Sequence, residues 1–173
     1  MDIVSVAEVD TPTSPHNPDL DPTFVQFEDV RWQQVRTQMH GDGQKSVWEK
    51  WFTIGRDPQF LSMYARWDPG MVVHRHGHYS HQIVYVLSGG LTCGDRWCPA
   101  GTHIDLPLGA ALGPLTAGPE GVELYEVMMG DPRSWEADRD GFHKVLADRG
   151  ITPLPNPPVE LPDWLADRRS NHA

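Results

Sequence analysis

The sequence predicts an all-β domain, a sandwich or barrel of about eight short strands. Three observations predict it. From Phe24 to Gly130, runs rich in Val, Ile, Tyr, Trp and Phe alternate with Gly, Pro and Asp punctuation. Glycine and proline number 16 each in 173 residues, a supply of turn formers that favours many short strands over long helices. The length suits one domain, and 39% hydrophobic content suffices for one packed core.

The elements follow in order. Residues 1–23, rich in Pro, Asp, Ser and Thr, carry too little apolar surface to offset the entropy of ordering. They read as a disordered N-terminal arm, or as one ordered only against a partner subunit. The barrel spans 24–132, with strands expected over 24–30, 31–36, 46–54, 60–67, 71–76, 82–87, 103–106 and 122–129, and a loop between 76 and 82. The tail, 133–173, differs. Phe142, Val145 and Leu146 share one helical face, with Asp140 placed to cap that helix and Gly150 to end it. The Pro-rich stretch 151–162 should be extended, because proline fixes φ and donates no hydrogen bond. One or two further turns of helix then carry Trp164 and Leu165, anchors that pack on the barrel or on a second subunit.

Composition also excludes. A formal charge of −10 repels phosphate backbones, so nucleic acid is not an expected partner. No apolar run approaches the roughly 20 residues needed to span a bilayer. The opening MDIVSVAEVD lacks the basic and apolar regions of a signal peptide, so a cytoplasmic protein is expected. Cys93 and Cys98 flank Gly-Asp-Arg-Trp, a hairpin turn, and without a second pair they match neither a disulfide framework nor a zinc ribbon.

The chemistry concentrates in one segment. Four of nine histidines, His74, His76, His78 and His81, fall within eight residues. Residues two apart in a strand share a face, so His74 and His76 project together and their neutral imidazoles can chelate one divalent ion. Arg75 points the other way, and Gln82 opens the next strand, from which it can approach the pair. His78 and His81 are balanced between further ligands and loop residues at a pocket mouth. No Ser-His-Asp arrangement, phosphate loop or carboxylate dyad suggests another chemistry.

This segment resembles the first cupin motif: a glycine, a few residues, H-x-H, three or four residues, Glu, six residues, Gly. Counting back from Gly89, Gln82 takes the glutamate position, and the stretch after His76 is slightly longer than in the motif. The second motif, G-x5-P-x-G-x2-H, is matched by Gly101, Pro107 and Gly109, but Leu112 stands where the family has histidine. With Lys50–Pro58 and Ala65–Gly70, residues 25–130 look similar to the cupin domain of zinc-binding anti-sigma factors and to small cupin dioxygenases. The 23-residue arm is too short to be the helical anti-sigma domain.

The resemblance implies a cupin double-stranded β-helix, a jelly-roll barrel, with the disordered arm and the short helical, Pro-rich tail attached. It implies a metal site on His74, His76 and Gln82, with His81 or His103 as candidates to complete it. Otherwise His103 and Asp105 form a polar pair on the barrel exterior. The pocket is expected to include Leu112, His103 and Val84. The expected activity is that of a metal-dependent enzyme acting on a small organic molecule, foremost a non-heme iron dioxygenase-type oxidoreductase. Fe(II) is the favoured ion, with Zn(II), Ni(II) and Mn(II) as alternatives. The rival class is a non-catalytic metal- or ligand-binding cupin, and a metal-dependent isomerase or lyase is a further alternative. A homodimer is the expected assembly, and no residue is assigned as catalytic.

Overall fold

Alternating burial marks the segment 59–67, where Leu61, Met63, Ala65 and Trp67 point inward and the residues between them do not. The same period runs through most of the chain. In the computed structural model, which describes residues 17–165, it produces an antiparallel barrel. Residues 1–16 of the expected arm and 166–173 of the expected terminal helix lie outside the described residues.

The strands are β1 (Gln33–His40), β2 (Gly43–Arg56), β3 (Gln59–Trp67), β4 (Val72–Val73), β5 (His76–Cys93), β6 (Arg96–Pro99), β7 (His103–Leu106), β8 (Leu115–Glu136) and β9 (Thr152–Pro153), with helix α1 (Arg139–Asp148) before the last. The sheet runs β6-β5-β8-β3-β2-β1-β9, with β4 added to β8 and β7 to β5. β5 and β8 pair along nearly their whole length, and bulges at 78/79, 86/88 and 89/91 let the ribbon bend round the barrel. At one bend Gly89, with φ 64, lets the backbone meet Gly121, whose carbonyl oxygen would lie 2.2 Å from any Cβ there.

The main core of the barrel is built on Val47, Trp67, Met71, Val86, Leu91 and Leu124, with a smaller cluster of Leu61, Met63 and Met128 beside it. A third cluster of Val72, Phe142, Leu146 and Ile151 docks α1 against the outside of β4. Gln38 is 1% exposed, and its amide accepts from Val72 N at 3.2 Å and donates to Val72 O at 2.6 Å. That side chain imitates a neighbouring strand and joins β1 to β4, leaving none of its polar groups stranded.

Several expected elements differ. Residues 24–30 form a short 3-10 turn at Phe27–Asp29 rather than a strand. Their apolar side chains lie outside the barrel, where Phe27 meets Tyr64 edge-on at 5.1 Å and its carbonyl accepts from Lys50 Nζ. The strand expected over 71–76 is split, and the loop expected between 76 and 82 is absent: His76 to Gln82 is continuous strand, paired with β8. The helix cap is Asp138, which accepts from Gly141 N at 2.9 Å, and not Asp140. Gly150, at φ 65, does end that helix. The cysteine hairpin turns on Gly94 and Asp95 alone, with Cys93 opposite Arg96 and Cys98 opposite Leu91, so the two thiols do not face each other. Among the described residues no helix is long and apolar enough to cross a membrane.

Candidate functional site

Continuous strand geometry decides which histidines meet. His76, His78, Gln82 and Val84 face the barrel interior, joined by His74 from the short connection before β5. The three imidazoles form a row, with ring centroids 5.0 Å apart for His74 and His76 and 5.4 Å apart for His76 and His78. His74 and His78 are each 9% exposed and Gln82 is 2% exposed. They line a cavity of about 680 Å³ that also takes in Arg36, Glu49, Leu112 and Glu126.

Two of the rings are prepared alike. His76 Nδ1 lies 2.8 Å from the His74 carbonyl oxygen, and His78 Nδ1 lies 2.7 Å from that of Pro132. A carbonyl only accepts, so both rings carry their proton on Nδ1 and leave the Nε2 lone pair free. His74 is arranged oppositely, with its Nδ1 2.8 Å from Arg36 Nη1. Burial holds the His76 pKa down, to about 3, and the His78 pKa below its ordinary value. Burial, reinforced by the Arg36 charge, lowers His74 to about 4. All three rings are neutral at physiological pH, the state in which an imidazole can act as a ligand.

Gln82 and Glu126 form a buried pair. Gln82 Nε2 donates to Glu126 Oε2 at 2.7 Å, which leaves Gln82 Oε1 buried with no hydrogen-bond partner among the described residues. An unpartnered buried carbonyl oxygen is costly unless something outside the chain completes it. Among the described residues no three His, Cys, Asp or Glu side chains gather round one ion. Three donor atoms on β5 are left open to an outside ligand: His76 Nε2, His78 Nε2 and Gln82 Oε1. Leu112 sits directly opposite His76, exchanging backbone hydrogen bonds of 3.0 and 2.7 Å with it, and adds an apolar wall where a third imidazole would stand.

The expected site residues are thus redistributed. His74, Gln82, Val84 and Leu112 reach the cavity with His76, but the Nδ1 contact with Arg36 sets His74 apart from the other two rings. His81 does not reach it. Residue 81 is out of step with 82, so its ring faces outward and pairs with Asp105 on β7. His103 is exposed on the same outer face and does not line the cavity. His78, read as balanced between ligand and loop, is buried on the strand. Sequence reasoning missed Glu126, although a signal existed: on β8 the inward residues Val122, Leu124 and Met128 are apolar, and Glu126 breaks their alternation. It also missed Arg36, for which no such signal exists, because the neighbouring Gln34 and Gln38 are polar too.

The Glu126 carboxyl is pushed up to about 8 by burial and then by the charge of Glu49, against the hydrogen bond from Gln82. The folded state therefore holds a proton that the unfolded chain releases near 4.5. Stability from this group is present below that pH and is lost as pH rises toward 8. His74 and His76, lowered in the folded state, act oppositely and cost stability as pH falls below 6.5. Glu126→Gln keeps an acceptor for Gln82 and should flatten the alkaline limb, raising stability at pH 8–9 by roughly 3–5 kcal/mol at about 1.4 kcal/mol per unit. Urea midpoints measured from pH 4 to 9 check this, and a variant with the wild-type pH profile would count against it.

No protein-family model matches the sequence, and no curated protein does. Solved structures do resemble the fold. An acetylacetone dioxygenase from Acinetobacter johnsonii superposes with a TM-score of 0.56 at 13% identity, over 77% of this chain and 87% of that one. A candidate acetylacetone dioxygenase from Methylibium petroleiphilum PM1 gives a TM-score of 0.57 at 13% identity, over 82% and 91%. An RmlC-like cupin protein from Ralstonia eutropha JMP134 gives 0.54 at 16% identity, over 79% and 94%.

Proposed function

The chain has the cupin fold, and from that premise we propose a metal-dependent enzyme acting on a small organic molecule, foremost a dioxygenase-type oxidoreductase. The observation that carries the reading is the pair of imidazoles with Nδ1 pinned and Nε2 free, beside the unpartnered Oε1 of Gln82 in a cavity of about 680 Å³. His76, His78 and Gln82 would hold the ion, and His81 and His103 would not. Nitrogen and neutral oxygen donors suit Fe(II), the favoured ion, and also Zn(II), Ni(II) or Mn(II). When bound, such an ion supplies Lewis acidity and, for Fe(II), a site for oxygen.

The chain's own residues do the rest. Arg36 and His74 present donors to a substrate oxygen. Leu112, Val84 and Met63 present apolar surface to its carbon skeleton. Glu126 accepts from the Gln82 Nε2 and so fixes the amide, leaving Oε1 as the atom that would hold an ion. A small 1,3-dicarbonyl is the first substrate class to test, because two proteins of similar fold bear the name acetylacetone dioxygenase. A homodimer remains the proposed assembly. Tyr85, Leu87, Tyr125 and Met129, exposed on the outside of β5 and β8, are the surface it would cover.

Oxygen uptake tests the activity. The protein is loaded anaerobically with each of the four ions and mixed with acetylacetone, other diketones and phenols. Uptake dependent on both Fe(II) and substrate is expected. Stoichiometric metal binding with no turnover of any of these compounds would move the chain to the class of non-catalytic binding cupins.

A further inference from the structure

His74 differs from its neighbours in a way the chemistry makes unambiguous. A guanidinium has donors only, so at 2.8 Å Arg36 Nη1 donates and His74 Nδ1 accepts. The neutral ring then carries its proton on Nε2, the reverse of His76 and His78. A ring protonated on Nε2 has no lone pair there for an ion. It has instead a hydrogen-bond donor, and none of the described residues accepts from it. The ring is held in place: its centroid is 5.0 Å from that of His76, and Phe142 packs against it edge-on at 5.6 Å.

We propose that His74 binds substrate rather than metal: its Nε2–H holds an anionic oxygen, of an enolate or a carboxylate, next to the ion, and Arg36 is the positioning residue that fixes the proton on Nε2. The inference rests on the reading in which His76 and His78 carry the ion. Arg36 contributes in two ways. It sets the tautomer through its hydrogen bond, and its charge makes the imidazole N–H a stronger donor. The pair therefore selects an acceptor oxygen bearing negative charge and no proton. A neutral alcohol oxygen would accept only a weaker hydrogen bond, and a hydrocarbon would leave the donor unanswered, at the cost of a buried polar group.

Three measurements on the full chain test this. Long-range proton–nitrogen NMR of histidine-labelled protein should show His74 protonated on Nε2 and His76 and His78 on Nδ1, and Arg36→Met should release His74 to a mixture of tautomers. Metal analysis should find His74→Ala carrying as much zinc as the wild type. Titration with acetylacetonate and with benzoate should show His74→Ala weakened by at least about 10-fold toward whichever anion the wild type binds, with partial recovery in His74→Gln, which restores an N–H donor. Acetylacetonate binding identifies an enolate site, and benzoate binding a carboxylate site. Loss of metal in His74→Ala, a proton on Nδ1 of His74, undiminished anion binding in His74→Ala, or a wild-type protein that binds neither anion would each overturn the proposal. A wild-type protein that takes up no metal would instead defeat the reading of the ion site, while the tautomer and the anion titrations still decide the role of His74.

Discussion

His76→Ala and His78→Ala are each expected to lower divalent-metal affinity by at least about 100-fold, since replacing even the outer partner of a metal-bound histidine costs about 10–100-fold. Each variant removes one of the two free Nε2 lone pairs on β5. His81→Ala should leave metal binding unchanged, because that ring is outside the barrel with Asp105. Leu112→His should move affinity the other way. Residue 112 is locked opposite His76 by two backbone hydrogen bonds, so an imidazole there adds a third nitrogen donor to an otherwise sparse site. Competition against a chromogenic chelator measures all four. Metal loss in His81→Ala, or full metal in both His76→Ala and His78→Ala, would show that the ion is held elsewhere.

Removing residues 155–173 is expected to open the cavity. The chain after β9 crosses the barrel mouth, and Pro157, Val159, Leu161 and Leu165 line the cavity from above, with Leu165 only 4% exposed. The crossing is tied to β1 and its approach. Leu154 N donates to Thr37 O at 3.1 Å, Thr37 Oγ1 to Pro155 O at 3.2 Å and Glu160 N to Gln33 Oε1 at 2.8 Å, while Arg31 pairs with Glu160. Burying a leucine side chain contributes roughly 2 kcal/mol. Leu165→Ala should therefore lower Tm by about 4–8 °C, from about 2–4 °C per kcal/mol at this size. The truncation should cost more, admit an apolar dye such as anilinonaphthalene sulfonate, and speed amide exchange in β1. It should leave the assembly state unchanged, because Leu165 is buried against its own barrel. A truncated protein with unaltered dye binding and exchange would mean that the tail does not close the cavity.

Much of this was legible in the residues. The strand over 60–67, the short strand His103–Leu106 and the helix ended by Gly150 follow from period and punctuation. The pair proposed to hold the ion was legible too, but one step along. From His78, three residues lead to Gln82 and six more to Gly89, the spacing that the cupin motif asks for, whereas pairing His74 with His76 requires a longer stretch. The other choice of pair came with treating 77–81 as a loop, where the structure has continuous strand. Gly77 is there for space: a Cβ would lie 2.4 Å from Ala110 O and 2.5 Å from the Trp135 ring. The role of Arg36 was not legible. Its contact with His74 joins residues 38 apart, on strands whose proximity only the closed barrel creates. Nor did the tail disclose its partner. Trp164 and Leu165 read as anchors without a destination, and the buried Leu165 supplies the destination within the same chain.

The most direct test of the site is anomalous diffraction at the edge of a bound metal, on crystals of the protein loaded with Fe(II) or Zn(II). The account predicts one peak per chain inside the barrel, about 2.0–2.2 Å from His76 Nε2, His78 Nε2 and Gln82 Oε1, with His74 still bonded to Arg36. A peak bonded to His74 Nε2, or one on the outer face with His81 and His103, would contradict it.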